Sequence, residues 1–463
     1  MANGRIRPSD THPMYWQYKG KDTLLLGGSV EDNLFQMRDL EKHLDLLKSV
    51  GGNFLRCTMS SRDEGDVWPY AKDPDTGLYD LETWDEEYWL RLKRFLDQTT
   101  ARDIVVQVEI WATWDFYRLA EAWERNAYNP KNNSTYTARE SGLPETWDYL
   151  APERINPFFE TVPELANNER VLNIQKRFVD RLLATTLDYD HVLYCMNNET
   201  NADPRWGVYW NRHIKAAAAT RGVRVETTDM FDYWDPSDGR VPGVLVQSED
   251  DHPFVHRSNA QFVVGHPEEY SFVDISNHNA QHGQVHYETG LFVRNQVKSS
   301  GIPRPVGCDK MYGGDLKANW AGTRQDGQER FWRNVFAGLA ACRFHRPDTG
   351  LGLNELAQAH LKSMRMLTDE LDVCTCEPHN DLLVDRVDNG SYCLAHPGRA
   401  YAVVAFGGAS SSLDCSALSG SVSVRWLDIL ESAWQDAVVA QASGSLVLQP
   451  ADDRYWVALV TAA

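Results

Sequence analysis

Basic side chains are scarce: 46 Lys and Arg stand against 66 Asp and Glu in 463 residues, a formal charge of −20. Nucleic-acid binding needs clustered cations for the phosphates, so that class of partner is not expected. No apolar run approaches 18 residues, so no membrane-spanning helix is expected either. The start, Met1-Ala2-Asn3-Gly4-Arg5, has no apolar core of a signal peptide. The sequence as it stands therefore reads as cytoplasmic, or as periplasmic or secreted if an export signal has been removed. Metal motifs are missing: Cys374-Thr375-Cys376 has no second ligand pair, and His252 and His256 flank Pro253 in a polar stretch. No Gly-x-Ser-x-Gly elbow follows a strand, and no glycine-rich phosphate loop follows the first one. Neither a metal nor an organic cofactor is expected.

What is present is ordinary in bulk, 42% hydrophobic and 24% charged, but rich in aromatics, with 16 Trp and 19 Tyr. Such side chains suit flat apolar sugar faces, and large cores also use them. The length allows one large domain and a smaller one.

Short apolar runs alternate with amphipathic stretches along most of the chain. After a hairpin around Lys19-Gly20, strands are expected at 23–29, 53–59, 103–112, 191–200, 223–230, 272–279, 305–314 and 340–347. Helical spacing falls between them, as in Leu40, Leu44 and Leu47, or Trp89, Leu92 and Leu96. Further helices are expected over Val171 to Thr186, Glu329 to Leu339 and Leu353 to Leu371. Eight such units predict an α/β fold, a (β/α)8 TIM barrel over residues 1–375 with the N-terminal hairpin. Long insertions are expected at about 115–161 and 231–271. From 376 to 463 short strands are separated by Gly, Ser, Asp and Pro, which predicts a small all-β sandwich.

In such a barrel the chemistry sits at the C-terminal strand ends. The fourth run ends in Asn198-Glu199, which makes Glu199 the first candidate for a catalytic acid. The competing reading is a helix-start carboxylate, because Asp203-Pro204 opens a helix shortly after. The other tips carry Arg56, Glu109, Trp111, Asp229, Asp274, His278, Asp309, Lys310, Arg343 and His345, with Asp115 and Tyr312 just beyond. Several carboxylates beside aromatic residues suit glycosidic bond cleavage, which needs one protonated and one ionised carboxyl group. Each residue also has a plainer reading. Arg56 can neutralise a buried carboxylate, Glu109 can be paired structurally inside the barrel, the histidines can be satisfied core residues, and Trp111 and Trp114 can be core, although their position favours a sugar platform.

The pair Asn198-Glu199 with Arg56 after the second strand resembles clan A glycoside hydrolases. The wider layout is similar to the apiosidase-like bacterial hydrolases, which carry a C-terminal collagen-binding-type β-sandwich. His12-Pro13, Leu24 to Ser29, Phe344-His345-Arg346-Pro347 and Cys376 to Leu383 carry that likeness across nearly the whole chain. The resemblance implies that Glu199 is the general acid/base and that Asn198 contacts a sugar hydroxyl. Arg56, Glu109, Trp111, Asp115, Asp274, His278, Lys310, Tyr312 and His345 would line the substrate site.

The sequence departs from the clan at the seventh strand. It ends in Cys308-Asp309-Lys310 where a nucleophilic Glu is expected, so Asp309, which would need a bulge to face inward, is the preferred second carboxylate, with Glu109, Asp274, Asp115 and Glu249 as rivals. Lys310 suggests an anionic group on the substrate. The expected substrate is a plant- or algal-type poly- or oligosaccharide. The alternatives are a carbohydrate-binding barrel without catalysis and a polysaccharide lyase with a base such as His278.

Overall fold

The computed structural model describes residues 4–117, 121–147, 155–231, 260–276, 281–315, 321–418, 420–441 and 444–463. Eight strands make one sheet: β1 (Leu25–Gly28), β2 (Phe54–Thr58), β3 (Val105–Ala112), β4 (Val192–Asn198), β5 (Thr227–Thr228), β6 (Val273–Asp274), β7 (Val306–Met311) and β8 (Ala341–Phe344). Their order is β5-β4-β3-β2-β1-β8-β7-β6. Chain neighbours are sheet neighbours except β5 and β6, the two ends of this order, which is the topology of a (β/α)8 barrel open at one seam. The barrel is nearly closed between β5 and β6. There the Ser271 N–H donates to Thr227 O at 3.0 Å, and the Thr227 N–H donates to Ser271 Oγ at 2.8 Å.

The helices are α1 (Leu40–Ser49), α2 (Glu86–Ala101), α3 (Glu169–Thr186), α4 (Pro204–Thr220), α5 (Gly283–Ser299), α6 (Arg324–Phe336) and α7 (Glu355–Glu370), with a short helix Ala260–Gly265 between β5 and β6. Their starts follow local chemistry. Asp85 caps α2 through the Glu87 N–H, and Asp203 caps α4 through the Arg205 N–H with Pro204 in the first turn. Several boundaries differ from expectation, two of them for a visible local reason. Helix α6 begins at Arg324, ahead of Glu329, because Thr323 and Asp326 form a capping box with Asp in the usual Glu position. Strand β5 is shorter than 223–230 because the Val223 N–H is taken by Ala218 O in the turn that ends α4.

Two compact units divide the chain. The first comprises Met1–Arg7, Glu31–Leu44 and Arg56–Asn277. It contains β3 to β6 and the insertion after β3, which is a chain of single turns pinned by asparagine side chains. Asn126 Nδ2 donates to Asp115 O at 2.8 Å and Asn129 Nδ2 to Trp123 O at 2.9 Å. Residues 118–120 and 148–154 of this insertion, and 232–259 of the later one, including Glu249, His252 and His256, lie outside the described residues.

The second unit comprises Pro8–Val30, Asp45–Leu55 and His278–Ala463. It opens with the hairpin Trp16–Tyr18 and Lys21–Thr23, whose turn residues Lys19 and Gly20 have φ of 50° and 77°. Both lie in the left-handed region that two-residue hairpin turns require. β1 needs its glycines, since a Cβ on Gly27 would overlap the Phe54 carbonyl of the neighbouring strand. The C-terminal region is antiparallel, with β9 (Ser391–His396), β10 (Ala400–Ala405), β11 (Ser421–Asp428) and β12 (Trp456–Ala462) as its longest strands. A seven-stranded sheet contains these four, and a three-stranded sheet joins Leu383–Val384, Ser411–Asp414 and Ser445–Leu448. Cys393, Tyr401, Val403, Leu413, Val422, Leu448 and Val460 fill the core they share. Arg333 of α6 donates to Tyr392 Oη at 3.1 Å and lies 5.1 Å from the Phe406 ring centre, and Ser363 of α7 donates to Ile429 O at 2.6 Å. None of the eight cysteines is in a disulfide.

Candidate active site

The end of β4 is organised around Glu199. Its main chain has φ of 55°, a left-handed conformation uncommon for a residue with a side chain and concentrated at functional positions. The half-buried carboxylate accepts the indole N–H of Trp114 at 2.7 Å. The Thr113 hydroxyl donates to the carbonyls of Asn198 and Glu199. Helix α4 begins at Pro204 with Asp203 as its cap, so Glu199 lies outside the helix start and is not its capping carboxylate.

One residue back, buried Asn198 ends the strand; two back, Asn197 is fully enclosed. The Asn197 side-chain amide donates to Asp229 Oδ1 at 2.9 Å and Oδ2 at 3.1 Å, and its oxygen accepts the Trp206 indole N–H at 3.0 Å. The main-chain N–H groups of Asn197 and Met230 also donate to Asp229 Oδ1, at 3.2 and 2.9 Å. Burial still pushes the Asp229 carboxyl up to about 7 against these hydrogen bonds.

Arg56 and Glu109 meet as a buried pair. Arg56 Nε donates to Glu109 Oε1 at 2.9 Å and Nη2 to Oε2 at 2.6 Å, while Nη1 donates to Asp32 Oδ1 at 2.8 Å. Asp32 also accepts from Arg62 at 3.2 Å. Asp115 is engaged with the loop after β2, accepting from Ser60 Oγ at 2.7 Å and the Ser61 N–H at 3.0 Å, and burial raises its pKa. Asp274 accepts from Gln107 Nε2 at 2.9 Å and from the Ser276 hydroxyl. Its pKa is raised chiefly by burial, with the Glu109 charge adding to it.

Trp111 requires a correction. It is 1% exposed, with Phe158, Phe178, Trp206 and Trp210 at centroid distances of 5.3 to 5.9 Å. Phe178 belongs to α3 and the two Trp to α4, so Trp111 faces the helical layer and is core, not a sugar platform. An aromatic residue that does reach the candidate acid is Trp114.

In the second unit, β7 contains the expected irregularity. Cys308 pairs with Cys342 and Met311 with Phe344, so Asp309 and Lys310 together oppose the single residue Arg343. That is a bulge. Phe344 stacks on Phe331 of α6 at 4.9 Å, so it faces the helices and Arg343, its neighbour on β8, faces the opposite way. Arg343 donates to Asp309 O at 2.8 Å and to the Ser29 hydroxyl. Asp309 and Lys310 are both buried. The Tyr312 ring meets His345 edge-on at 4.9 Å. His278 lies outside the described residues.

Two partners were missing from the sequence reading. Asp32 lies just past β1, where a strand-end carboxylate was legible as such. Gln107 was marked only by being polar inside an apolar run. Among the described residues no group of three or more His, Cys, Asp or Glu is placed to hold a metal ion.

No family model matches the chain, and a search of curated proteins finds no match. Solved structures do match in fold. A glycoside hydrolase family 5 protein from Bacteroides vulgatus aligns with a TM-score of 0.65 at 12% identity, over 99% of this chain and 94% of its own. A second structure, described as a glycoside hydrolase, aligns with a TM-score of 0.60 at 11% identity, over 100% of this chain and 97% of its own. At such identities the likeness is one of fold.

Proposed function

We propose that this chain is a glycoside hydrolase acting on a plant- or algal-type poly- or oligosaccharide, with Glu199 as general acid/base. The observation that carries the reading is the setting of Glu199: a strand-end carboxylate on the C-terminal face of a (β/α)8 barrel, in a left-handed backbone conformation, with Trp114 on one oxygen. In this reading the protonated carboxyl gives its proton to the glycosidic oxygen as the bond to the anomeric carbon breaks. The resulting carboxylate then takes a proton from the incoming water. The similarity in fold to proteins described as glycoside hydrolases supports it.

Asp309 is the proposed second carboxylate, by virtue of the strand it ends and the bulge that frees it from simple alternation. Lys310 beside it suits an anionic substituent such as a uronate or sulfate. Asn198, Tyr312 and His345 are proposed as sugar contacts. Arg56, Glu109, Asp115 and Asp274, whose oxygens and nitrogens already have protein partners, would act mainly as the rigid frame behind them. The finer assignment to the apiosidase-like group rests on the sequence likeness, with a β-sandwich following the barrel.

The test is reducing-end release from neutral and uronate-bearing glycans by the wild type, Glu199→Gln and Asp309→Asn. General acid catalysis contributes about 10²- to 10⁴-fold, so Glu199→Gln should lose activity on that scale. Undiminished activity in Glu199→Gln would sink the assignment. The lack of a Glu at the end of β7 favours one other reading, a carbohydrate-binding barrel, which binding without cleavage by the wild type would reveal. An ultraviolet-absorbing unsaturated product would identify a lyase.

A further inference from the structure

We infer that Asp229 is a positioning residue for Glu199, acting through the side-chain amide of Asn197. The inference rests on the proposed role of Glu199 but has its own structural readout.

The amide of Asn197 is read from both ends. Trp206 of α4 can only donate, so it requires the Asn197 oxygen; Asp229 at the end of β5 can only accept when ionised, so it requires the Asn197 nitrogen. One rotamer and one amide orientation satisfy both. The main chain is held in the same place, since Asp229 Oδ1 accepts the Asn197 N–H and the Met230 N–H, and the Thr200 N–H donates to Met230 O at 2.9 Å. The segment 197–200 is thus tied to the end of β5 on either side of Glu199. Between those ties Glu199 takes φ of 55° and presents its carboxylate to Trp114. Such a conformation persists only where its surroundings over-determine it.

The sequence makes room for this arrangement. A Cβ on Gly207, in the second turn of α4, would overlap Asp229 Oδ2, so glycine there lets the carboxylate lie against the helix. Asp229 is itself 1% exposed and both its oxygens are taken by Asn197 and the main chain, which is why its role is indirect.

Asp229→Asn, with its oxygen kept on the two main-chain N–H groups, leaves the 2.9 Å bond from Asn197 Nδ2 to that oxygen but sets an amide nitrogen against Asn197 Nδ2 at the 3.1 Å contact. Turning Asn197 over to relieve that conflict sets its nitrogen against the Trp206 indole. The exchange Asn197→Asp with Asp229→Asn gives the facing side chains a donor and an acceptor again: Asp at 197 accepts from Trp206 and from the nitrogen of Asn at 229, shifting toward it and off the oxygen at 2.9 Å, and that oxygen accepts the two main-chain N–H groups.

The experiment compares wild type, Asp229→Asn and the exchanged double variant by crystal structure and by steady-state kinetics on the best glycan substrate. The expected structural result is that residue 199 leaves the left-handed region and the Trp114–Glu199 bond opens in Asp229→Asn, with both recovered in the double variant. The expected kinetic result is a fall in kcat of about 100-fold, as small misplacements of a reacting group produce, with KM changed less than about threefold. The double variant should recover to within about tenfold of wild type. An unchanged 197–200 segment in Asp229→Asn, or loss in the double variant as large as in the single, overturns the inference. If the wild type cleaves no glycan, the hydrolase reading fails while the crystal structures still decide whether Asp229 sets the geometry of Glu199. Should Asp229→Asn not fold, Asn197→Ala, which removes the side-chain amide through which Asp229 acts, replaces it with the same expected movement of residue 199.

Discussion

Glu109→Gln is a sharp test of how the interior of this barrel is held together. Arg56 spends its guanidinium on two carboxylates, with two bonds to Glu109 at 2.9 and 2.6 Å and one to Asp32 at 2.8 Å. Side-chain exposures are 1% for Arg56, 0% for Glu109 and 6% for Asp32, so water contributes little. Glutamine keeps the shape, removes one negative charge, and points an N–H at a guanidinium N–H. A lost hydrogen bond to a charged group costs roughly 1.5–3 kcal/mol. Breaking a buried ion pair from one side costs about 3–5 kcal/mol. Because Asp32 stays on Arg56, the lower end, about 3 kcal/mol, is expected for Glu109→Gln. The apolar exchange Arg56→Met with Glu109→Leu removes both charges together and leaves Asp32 with Arg62 at 3.2 Å. It should cost less than the sum of its single variants by at least about 2 kcal/mol, since each single variant leaves a buried charge unmatched and the double leaves none. Urea unfolding followed by circular dichroism measures wild type, Glu109→Gln, the two single apolar variants and their double. A Glu109→Gln cost below about 1 kcal/mol, or strictly additive single effects, would refute the view of Arg56 as a buried, fully paired cation.

Two other consequences are open to direct measurement. Burial pushes the Asp66 carboxyl, which accepts from Asn33 Nδ2 at 2.6 Å and the Asp63 N–H at 2.9 Å, from 3.8 up to about 7. The folded state therefore holds this proton more tightly than the unfolded chain, and the associated stability, complete below about pH 4, is lost as pH rises to about 7. Asp66→Asn carries no such penalty, so its stability relative to wild type should rise between pH 4 and 8; a flat difference would contradict this. Gly207→Ala should destabilise by about 1–3 kcal/mol through overlap with Asp229 Oδ2, and the cost should shrink in an Asp229→Ala background. Thermal melts of the four proteins read that coupling, and equal costs in both backgrounds would reject it.

Much of the frame was legible because it is written in local patterns. Short apolar runs such as Val105 to Ala112 can be recognised in a window of a few residues, and so can helix starts such as Asp203-Pro204. Where local chemistry was unusual the boundary slipped, as at the Thr323–Asp326 capping box. The placement of Glu199 at a strand tip was legible too. Its left-handed backbone was not, since no glycine or turn motif announces it.

The residue pattern alone thus determined eight strands with helices between them, antiparallel strands after residue 376, and which polar side chains end each barrel strand. Those are consequences of periodicity, and periodicity is local. Only the tertiary structure decided what the strand-end residues touch. Arg56 and Glu109 are 53 positions apart, and Gln107 and Asp274 are 167 apart. Nothing within either neighbourhood names its partner. The strand-tip position of Trp111 suggested a sugar platform, yet the rings of α3 and α4 enclose it, because burying so large an apolar surface among them is favourable. Alternation likewise separated Asp309 from Lys310, and the bulge opposite Arg343 set both against one residue. Pairing across a barrel depends on register and packing summed over many strands, and those sums exist only once the chain has closed on itself.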